Sequence, residues 1–224
     1  MNVTSTKLHT DLRWIKVFRS AFEHNGNTGE WLFVSRKKEQ TPEEKSKADA
    51  VVIIPILEGD VMGAKVILTK EFRVPLQDYE VGFPAGLLDD GEDPLECAKR
   101  ELLEETGYEV KDHLLTSPPI YSSAGITDES VQLVFVTVGE KLDAAPEPTE
   151  DIEVIEMNSF DVLRLLDPDE DPADKPKIGA KAYPILFMLS MLSISSFVEV
   201  IKIMDSMRTR AYQMEEMISD DEED

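Results

Sequence analysis

The stretch from Gly82 to Tyr108, GFPAGLLDDGEDPLECAKRELLEETGY, constrains the chain more than any other. Its second half carries helix signals at both ends. Asp93 suits an N-cap, Pro94 the first helical position and Gly107 a left-handed C-cap. At about 100° per residue, positions three and four apart share a helix face, so Glu101, Glu104 and Glu105 project together. Arg100 reaches Glu104 at i+4, but one guanidinium does not neutralise three carboxylates. A divalent cation does. Clustered carboxylates without histidine are hard oxygen ligands, suited to Mg²⁺ or Mn²⁺ and poorly suited to zinc. A solvated glutamate face is the bland alternative, and it is the wider spacing that separates the two.

From Gly86, five residues lead to Glu92 and seven more to Arg100, followed by Glu101, Leu102, Glu104, Glu105 and Gly107. This spacing resembles the Nudix box, G-x5-E-x7-R-E-U-x-E-E-x-G-U, where U is a bulky aliphatic residue. Only Tyr108 departs from it. The resemblance implies an α+β Nudix fold, with a mixed β-sheet sandwiched between helices, and a Mg²⁺-dependent hydrolase (Mn²⁺ as the alternative cation). It implies that Glu101 and Glu105 hold the metal, that Glu104 supports the same cluster and that the carbonyl of Ala85 is a further ligand. Arg100 would orient the glutamates and Glu92 would hold the loop. The reaction implied is water attack on a nucleoside diphosphate linked to a further group, faster toward alkaline pH.

Charge narrows the partners. The net charge is −23, with five of the acids in the final DDEED, which argues against nucleic-acid and anionic-membrane surfaces. An acidic protein that handles an anionic substrate needs cations at its site, in keeping with the metal reading. The single cysteine, Cys97, excludes an internal disulfide, and its place in the box helix suits core packing. The N-terminal MNVTSTKLHTDLRW lacks the apolar segment of a signal peptide, so the expected compartment is the cytoplasm.

Along the chain, residues 11–23 read as a strand, Asn25–Gly29 as a hairpin turn and Trp31–Arg36 as a second strand, followed by the charged linker KKEQTPEEKSKAD. The expected division is an N-terminal hairpin extension over 1–45, a catalytic domain over 46–217 and a disordered acidic tail over 218–224. The phrase GEWLFVSRK resembles the W-x4-R pattern of the ADP-ribose pyrophosphatase branch. In that branch the hairpin exchanges between two subunits, which implies a homodimer. By the same resemblance Trp31 stacks on adenine, with Trp14 as a second candidate, and Arg36 contacts phosphate or base. KEFRVP resembles the branch's Q-x-R-x-P, with Glu71 in place of Gln, and implies that Arg73 contacts phosphate or ribose.

Ala50–Leu57 and Ala64–Phe72 are continuous apolar runs joined by a turn at Glu58–Asp60, as in the buried strands of a mixed sheet. Where the branch often has Glu two residues before Pro84, this chain has Gly82, with Glu80 as a stand-in. Two more strands are expected at Leu114–Tyr121 and Val131–Val138, joined by the loop SSAGITDE. That loop offers Gly125 and Glu129 to the substrate, but Ala124 stands where ADP-ribose pyrophosphatases carry Pro. The acidic loop Glu140–Glu150 is where the family places a carboxylate near the scissile diphosphate. Glu150 is the first candidate for general base and Glu147 the second. A strand at DIEVIEM and a short helix at Asn158–Leu166 follow. The run Pro184–Met204 has the length of a membrane span, but four serines, Glu199 and Lys202 interrupt it, so a buried helix with an apolar lip for dimerisation is expected.

The substrate implied is therefore a small nucleotide, ADP-ribose or a related nucleoside diphosphate sugar. The alternatives are another nucleotide (a dinucleoside polyphosphate, NADH or a nucleoside triphosphate), or a Nudix module that senses a nucleotide without cleaving it.

Overall fold

The computed structural model describes residues 1–59, 63–146, 150–167, 169 and 176–221; for residues 208 and 211–221 it describes the backbone alone. The chain opens with β1 (Asn2–Asp11), β2 (Lys16–His24) and β3 (Asn27–Ser35), an antiparallel sheet in that order. Asn25 and Gly26, at φ 51° and 77°, make the tight turn that an Asn-Gly pair favours. The expected two-strand hairpin is thus a three-strand sheet. Its extra member, β1, is almost wholly exposed, so it lacks the apolar alternation that would mark it in the sequence. Within the charged linker lies α1 (Pro42–Ser46), a short helix whose N-cap Thr41 accepts from the Glu44 amide.

The main sheet begins with β4 (Ala50–Leu57), β5 (Lys65–Arg73), β6 (Asp78–Gly82) and β7 (Ala85–Leu87). The box helix α2 (Pro94–Thr106) comes next, then β8 (Tyr108–Thr116), β9 (Ile120–Tyr121), β10 (Ser130–Lys141) and β11 (Ile152–Met157). The chain continues with α3 (Ser159–Leu165), β12 (Lys177–Ile178), α4 (Ala182–Met191) and α5 (Ile194–Asp221). The strands order as β12-β6-β5-β4-β10-β8, with β11 on β5, β7 on β4 and β9 on β10. Asp60, from the expected β4–β5 turn, lies outside the described residues.

The apolar run of β4 is continuous because both of its faces are buried. Val51 and Ile53 face Cys97, Ala98 and Leu102 of α2. Ile54 and Ile56 face Leu186 and Leu189 of α4 and Ile194 and Phe197 of α5. Each fully buried Ile or Leu here contributes roughly 1.5–3 kcal/mol. The sheet is therefore a filled layer between helices, and α2 is fixed against it from one side.

Three expectations need correction. The strand placed at Leu114–Tyr121 begins at Tyr108, directly after the box. Register shifts along the β8–β10 pairing break its alternation and hide it. The run Pro184–Met204 is two helices bent by 107° rather than one. The hydroxyl of Ser193 accepts from the Ser196 amide and starts α5 afresh, while Leu186, Leu189, Ile194 and Ile201 are buried. Among the described residues no single helix is long and apolar enough to cross a membrane. Finally, α5 continues to Asp221, so residues 218–221 are helical where disorder is expected; residues 222–224 lie outside the described residues.

Candidate active site

The caps of α2 are those its sequence calls for. Asp93 accepts from the Leu95 amide at 2.9 Å, Pro94 opens the helix, and Gly107 closes it at φ 75°. Gly107 is also crowded, since a Cβ there would lie 2.3 Å from the Leu142 carbonyl oxygen. The acidic loop docks at this point. The Leu142 amide donates to the Gly107 carbonyl (2.7 Å) and the Ala145 amide to the Glu104 carbonyl (2.9 Å), filling acceptors that a helix end otherwise leaves open. The far end of the same loop is tied down where β11 pairs with β5, Ile152 opposite Glu71.

The first acid of the box is structural. Glu92 accepts from the Asp89 amide at 3.0 Å and takes two bonds from Arg100, at 3.1 and 3.0 Å. These donors hold its carboxyl down at a pKa of about 2, the Arg100 bond first among the causes. Arg100 also donates to the Leu87 carbonyl (3.2 Å) and Glu101 (2.7 Å), and lies 3.5 Å from Glu104. Its protonation is reinforced, chiefly by Glu92. Gly86 lets this cluster close, because a Cβ there would lie 1.9 Å from the Glu101 carboxyl carbon.

Glu105 is the opposite case. Ala98, Leu102 and Glu105 lie on one buried stripe of α2, so a carboxylate occupies a core position and is 7 % exposed. Among the described residues its carboxylate takes one hydrogen bond, from the Ala85 amide at 3.3 Å. Burial, then the charge of Glu101, and beyond the Ala85 bond those of Glu71 and Glu150, push its pKa up to about 8. Glu101 is raised by burial against the opposing pull of Arg100, with Glu104 and Glu150 adding to the rise. Glu71 is raised by burial too, with Arg73 opposing and Glu150 and Glu80 reinforcing.

The predicted Glu101, Glu104, Glu105, Arg100, Ala85 and Glu150 are therefore brought into one neighbourhood. Glu147 lies outside the described residues. Among the described residues no three His, Cys, Asp or Glu side chains already stand as a metal-ligand set. The donor chemistry nonetheless suits a hard divalent cation: several half-buried carboxylates share one region, and among the described residues the buried one, Glu105, makes no ion pair while Arg100 and Arg73 pair with its acidic neighbours.

Arg73, though exposed, is paired with acids. Its Nη1 donates to Glu71 at 2.8 Å and its Nε to Glu80 at 3.3 Å. Glu71 is the residue that the sequence analysis did not place in the site. Its signal is an acid near the end of a central strand, KVILTKEFR, that carries the apolar run Val66–Leu68.

The remaining substrate candidates form a second group. The Trp31 indole donates to the Gly125 carbonyl (3.2 Å), and Arg36 Nε pairs with Glu129 at 2.6 Å. Burial acts to raise the Glu129 carboxyl, but bonds from Arg36 and Ser122 outweigh it and hold the carboxyl low. The Val34 amide bonds the Ile126 carbonyl, locking the N-terminal sheet to this loop. Trp31, half exposed, lines a mostly apolar cavity of about 470 Å³ with Met1, Val3, Phe22, Phe33 and Tyr121. Trp14 is elsewhere, under the Arg13 guanidinium, in a cleft with Lys38 and the box loop Leu87–Gly91.

The misfit at the end of the box also has a cause. Tyr108 is buried, and its hydroxyl donates to Glu156 at 2.6 Å, a bond that an aliphatic residue lacks.

Comparison with known proteins bears on the family and the fold. The chain is 35% identical over 174 residues to an ADP-sugar pyrophosphatase of Mus musculus, covering 74% of this chain and 77% of the relative. It is 34% identical over 166 residues to an ADP-ribose pyrophosphatase of Saccharomyces cerevisiae, covering 72% and 69%. The crystal structure of an ADP compounds hydrolase shares the fold, with a TM-score of 0.60 at 21% identity over 84% of this chain and 91% of that one. The NUDIX domain model matches residues 46–181. With that match and the box geometry together, the chain belongs to the NUDIX domain family.

Proposed function

We propose that this Nudix hydrolase cleaves the diphosphate of ADP-ribose or a related nucleoside diphosphate sugar to a nucleoside monophosphate and a sugar phosphate. The observation that carries the reading is the buried Glu105, which makes no ion pair among the described residues and lies among the charges of Glu101, Glu71 and Glu150. The names of the two relatives support the substrate class. Glu101 and Glu105, with Glu104 and the Ala85 carbonyl, would hold Mg²⁺, or Mn²⁺ in its place. When bound, such a cation screens the phosphate oxygens and lowers the pKa of a coordinated water. The chain's own groups do the rest. Arg100 fixes the direction of Glu101, and Glu150 takes the proton of the attacking water, with Glu147 as second candidate. Trp31 and Gly125 offer a stacking wall for the base, Arg36 and Glu129 a polar edge, and Arg73 a phosphate contact.

Residues 1–45 form the extension and 46–217 the catalytic domain, a division whose first boundary is supported by the start of the family match at residue 46. The apolar cavity at Met1, Val3, Phe22 and Trp31 suits the covering strand of a second subunit, in a cytoplasmic homodimer that swaps its N-terminal sheet. The test is a panel of ADP-ribose, other nucleoside diphosphate sugars and dinucleoside polyphosphates with Mg²⁺, read by product chromatography. ADP-ribose or an ADP-sugar should turn over fastest. If none is cleaved with Mg²⁺ or Mn²⁺, the reading is lost. Light scattering gives the subunit count.

A further inference from the structure

Three positions line up across β6, β5 and β11. In the β5–β6 register Glu71 lies opposite Glu80, and in the β5–β11 register it lies opposite Ile152, two residues after Glu150. Cross-strand partners project from the same face, so Glu71 sits between Glu80 on one side and the Glu150 segment on the other. One step along, Gly82 is opposite Thr69, and no atom lies within 4 Å of where a Cβ at Gly82 would stand. Space is therefore left open diagonally beside Glu71.

The two acids of this row are used differently. One oxygen of Glu80 meets Arg73 Nε, and the other faces Gly179, 3.2 Å from a Cβ built there, on the side of β12. Glu80 is thereby turned toward the sheet edge. Glu71 gives Oε1 to Arg73, while its second oxygen has no hydrogen-bond partner among the described residues, and its side chain is only 21% exposed. A half-buried carboxylate with one oxygen left over, near enough to Glu105 for its charge to act on that carboxyl, has the chemistry of a cation ligand.

We infer that Glu71 is a further metal-ligating residue of this site, acting with Glu105, and that Arg73 is its counter-ion until the cation arrives. The inference rests on the proposed reading of the α2 acids as a cation site. A cation entering between Glu71 and Glu105 replaces the Arg73 guanidinium at Glu71 and leaves Arg73 available to a substrate phosphate. Metal and substrate binding would then be linked through one ion pair.

The test is a Mn²⁺ titration followed by the paramagnetic resonance of the free ion, on the full chain without substrate, with thermal melts to confirm folding. Glu71→Gln should weaken Mn²⁺ binding about tenfold or more. Glu80→Gln should leave it close to wild type, and Arg73→Ala should leave it unchanged or tighter, since it removes a competitor. Glu71→Gln binding as tightly as wild type overturns the inference. So does a loss confined to Glu80→Gln, or an equal loss in Glu71→Gln and Arg73→Ala, which would mean that Glu71 acts only by holding Arg73. If wild type and Glu105→Gln alike bind no Mn²⁺, the cation-site reading itself falls and this inference with it. A wild type that binds while Glu71→Gln is unaffected leaves that reading standing and removes Glu71 alone.

Discussion

Glu92 and Glu105 stand at opposite ends of one loop-helix unit and live in opposite electrostatic conditions. Glu92 is saturated: an amide and a two-pronged guanidinium meet its oxygens, and its pKa falls to about 2. Among the described residues Glu105 has one long amide bond, no ion pair and three acidic neighbours, and its pKa rises to about 8. Both lie in the same short motif. The first stabilises the fold whenever it is ionised, and the second costs stability increasingly as pH rises above the ordinary carboxylate range, unless something positive arrives. A group kept under such tension is a candidate for function rather than for structure.

The sharpest way to break this comparison is to neutralise each acid in turn. Glu105→Gln should lower turnover by roughly two to three orders of magnitude. It should also raise the melting temperature of the metal-free protein at pH 9, because a buried charge is replaced by a neutral amide. A Glu105→Gln enzyme with near-normal turnover would remove the acid from the machinery. One that melts lower than wild type at pH 9 would remove the tension.

The second prediction follows from the sign of the shifts. Between the ordinary carboxylate range near 4.5 and about 8, the unfolded chain has already released the Glu105 proton while the folded protein retains it. Stability therefore falls as pH rises through that window, by at most about 1.4 kcal/mol per unit for one proton, and stays low above it. Glu71 and Glu101 are shifted the same way and add to the fall. Glu92 does not contribute there, since its stabilisation is lost only as pH drops from 4.5 toward 2. Melts of the metal-free protein from pH 5 to 9 should show the decline, and saturating Mg²⁺ should flatten it. A flat metal-free profile would contradict the buried charge.

How much of this was legible beforehand divides along physical lines. Residues in contact through the helix itself, such as Glu101, Glu104, Glu105 and Arg100, follow from spacing alone. The central strands β4 and β5 follow as well, since burial on two faces writes a continuous apolar run. Glu71 was not legible as a site residue, because its neighbours Glu105 and Glu150 are brought to it by tertiary packing and by the β5–β11 register. The start of β8 was hidden by its register shifts, and β1 by its exposed, polar composition. The bend at Ser193 was missed because the run of apolar residues continues through it, while the break depends on hydroxyl caps.

Arg100 carries the third prediction. Arg100→Ala leaves Glu92 mostly buried without its guanidinium, which should cost about 1–3 kcal/mol of stability, seen as an earlier urea midpoint. The same change removes a hydrogen bond from Glu101, so activity falls too. The comparison predicts a split between Arg100→Ala and Glu105→Gln: both lose turnover, but only the first loses stability. Equal destabilisation by the two would show that the ends of the unit do not differ in kind.

The smallest effect tests whether the misfit at the end of the box belongs with either acid. Tyr108 packs its ring in the core formed by Cys97, Leu102 and Val136, and its hydroxyl bonds Glu156, which also meets Lys65 at 3.0 Å and Lys141 at 3.5 Å. Tyr108→Phe keeps the packing and leaves Glu156 two other partners, so the loss should be about 0.5–1.5 kcal/mol, with turnover unchanged. The hydroxyl bonds an acid of β11, and neither Glu92 nor Glu105 depends on it. A fall in turnover with Tyr108→Phe, at unchanged stability, would tie this corner of the core to the acids of the site and blur the line between them.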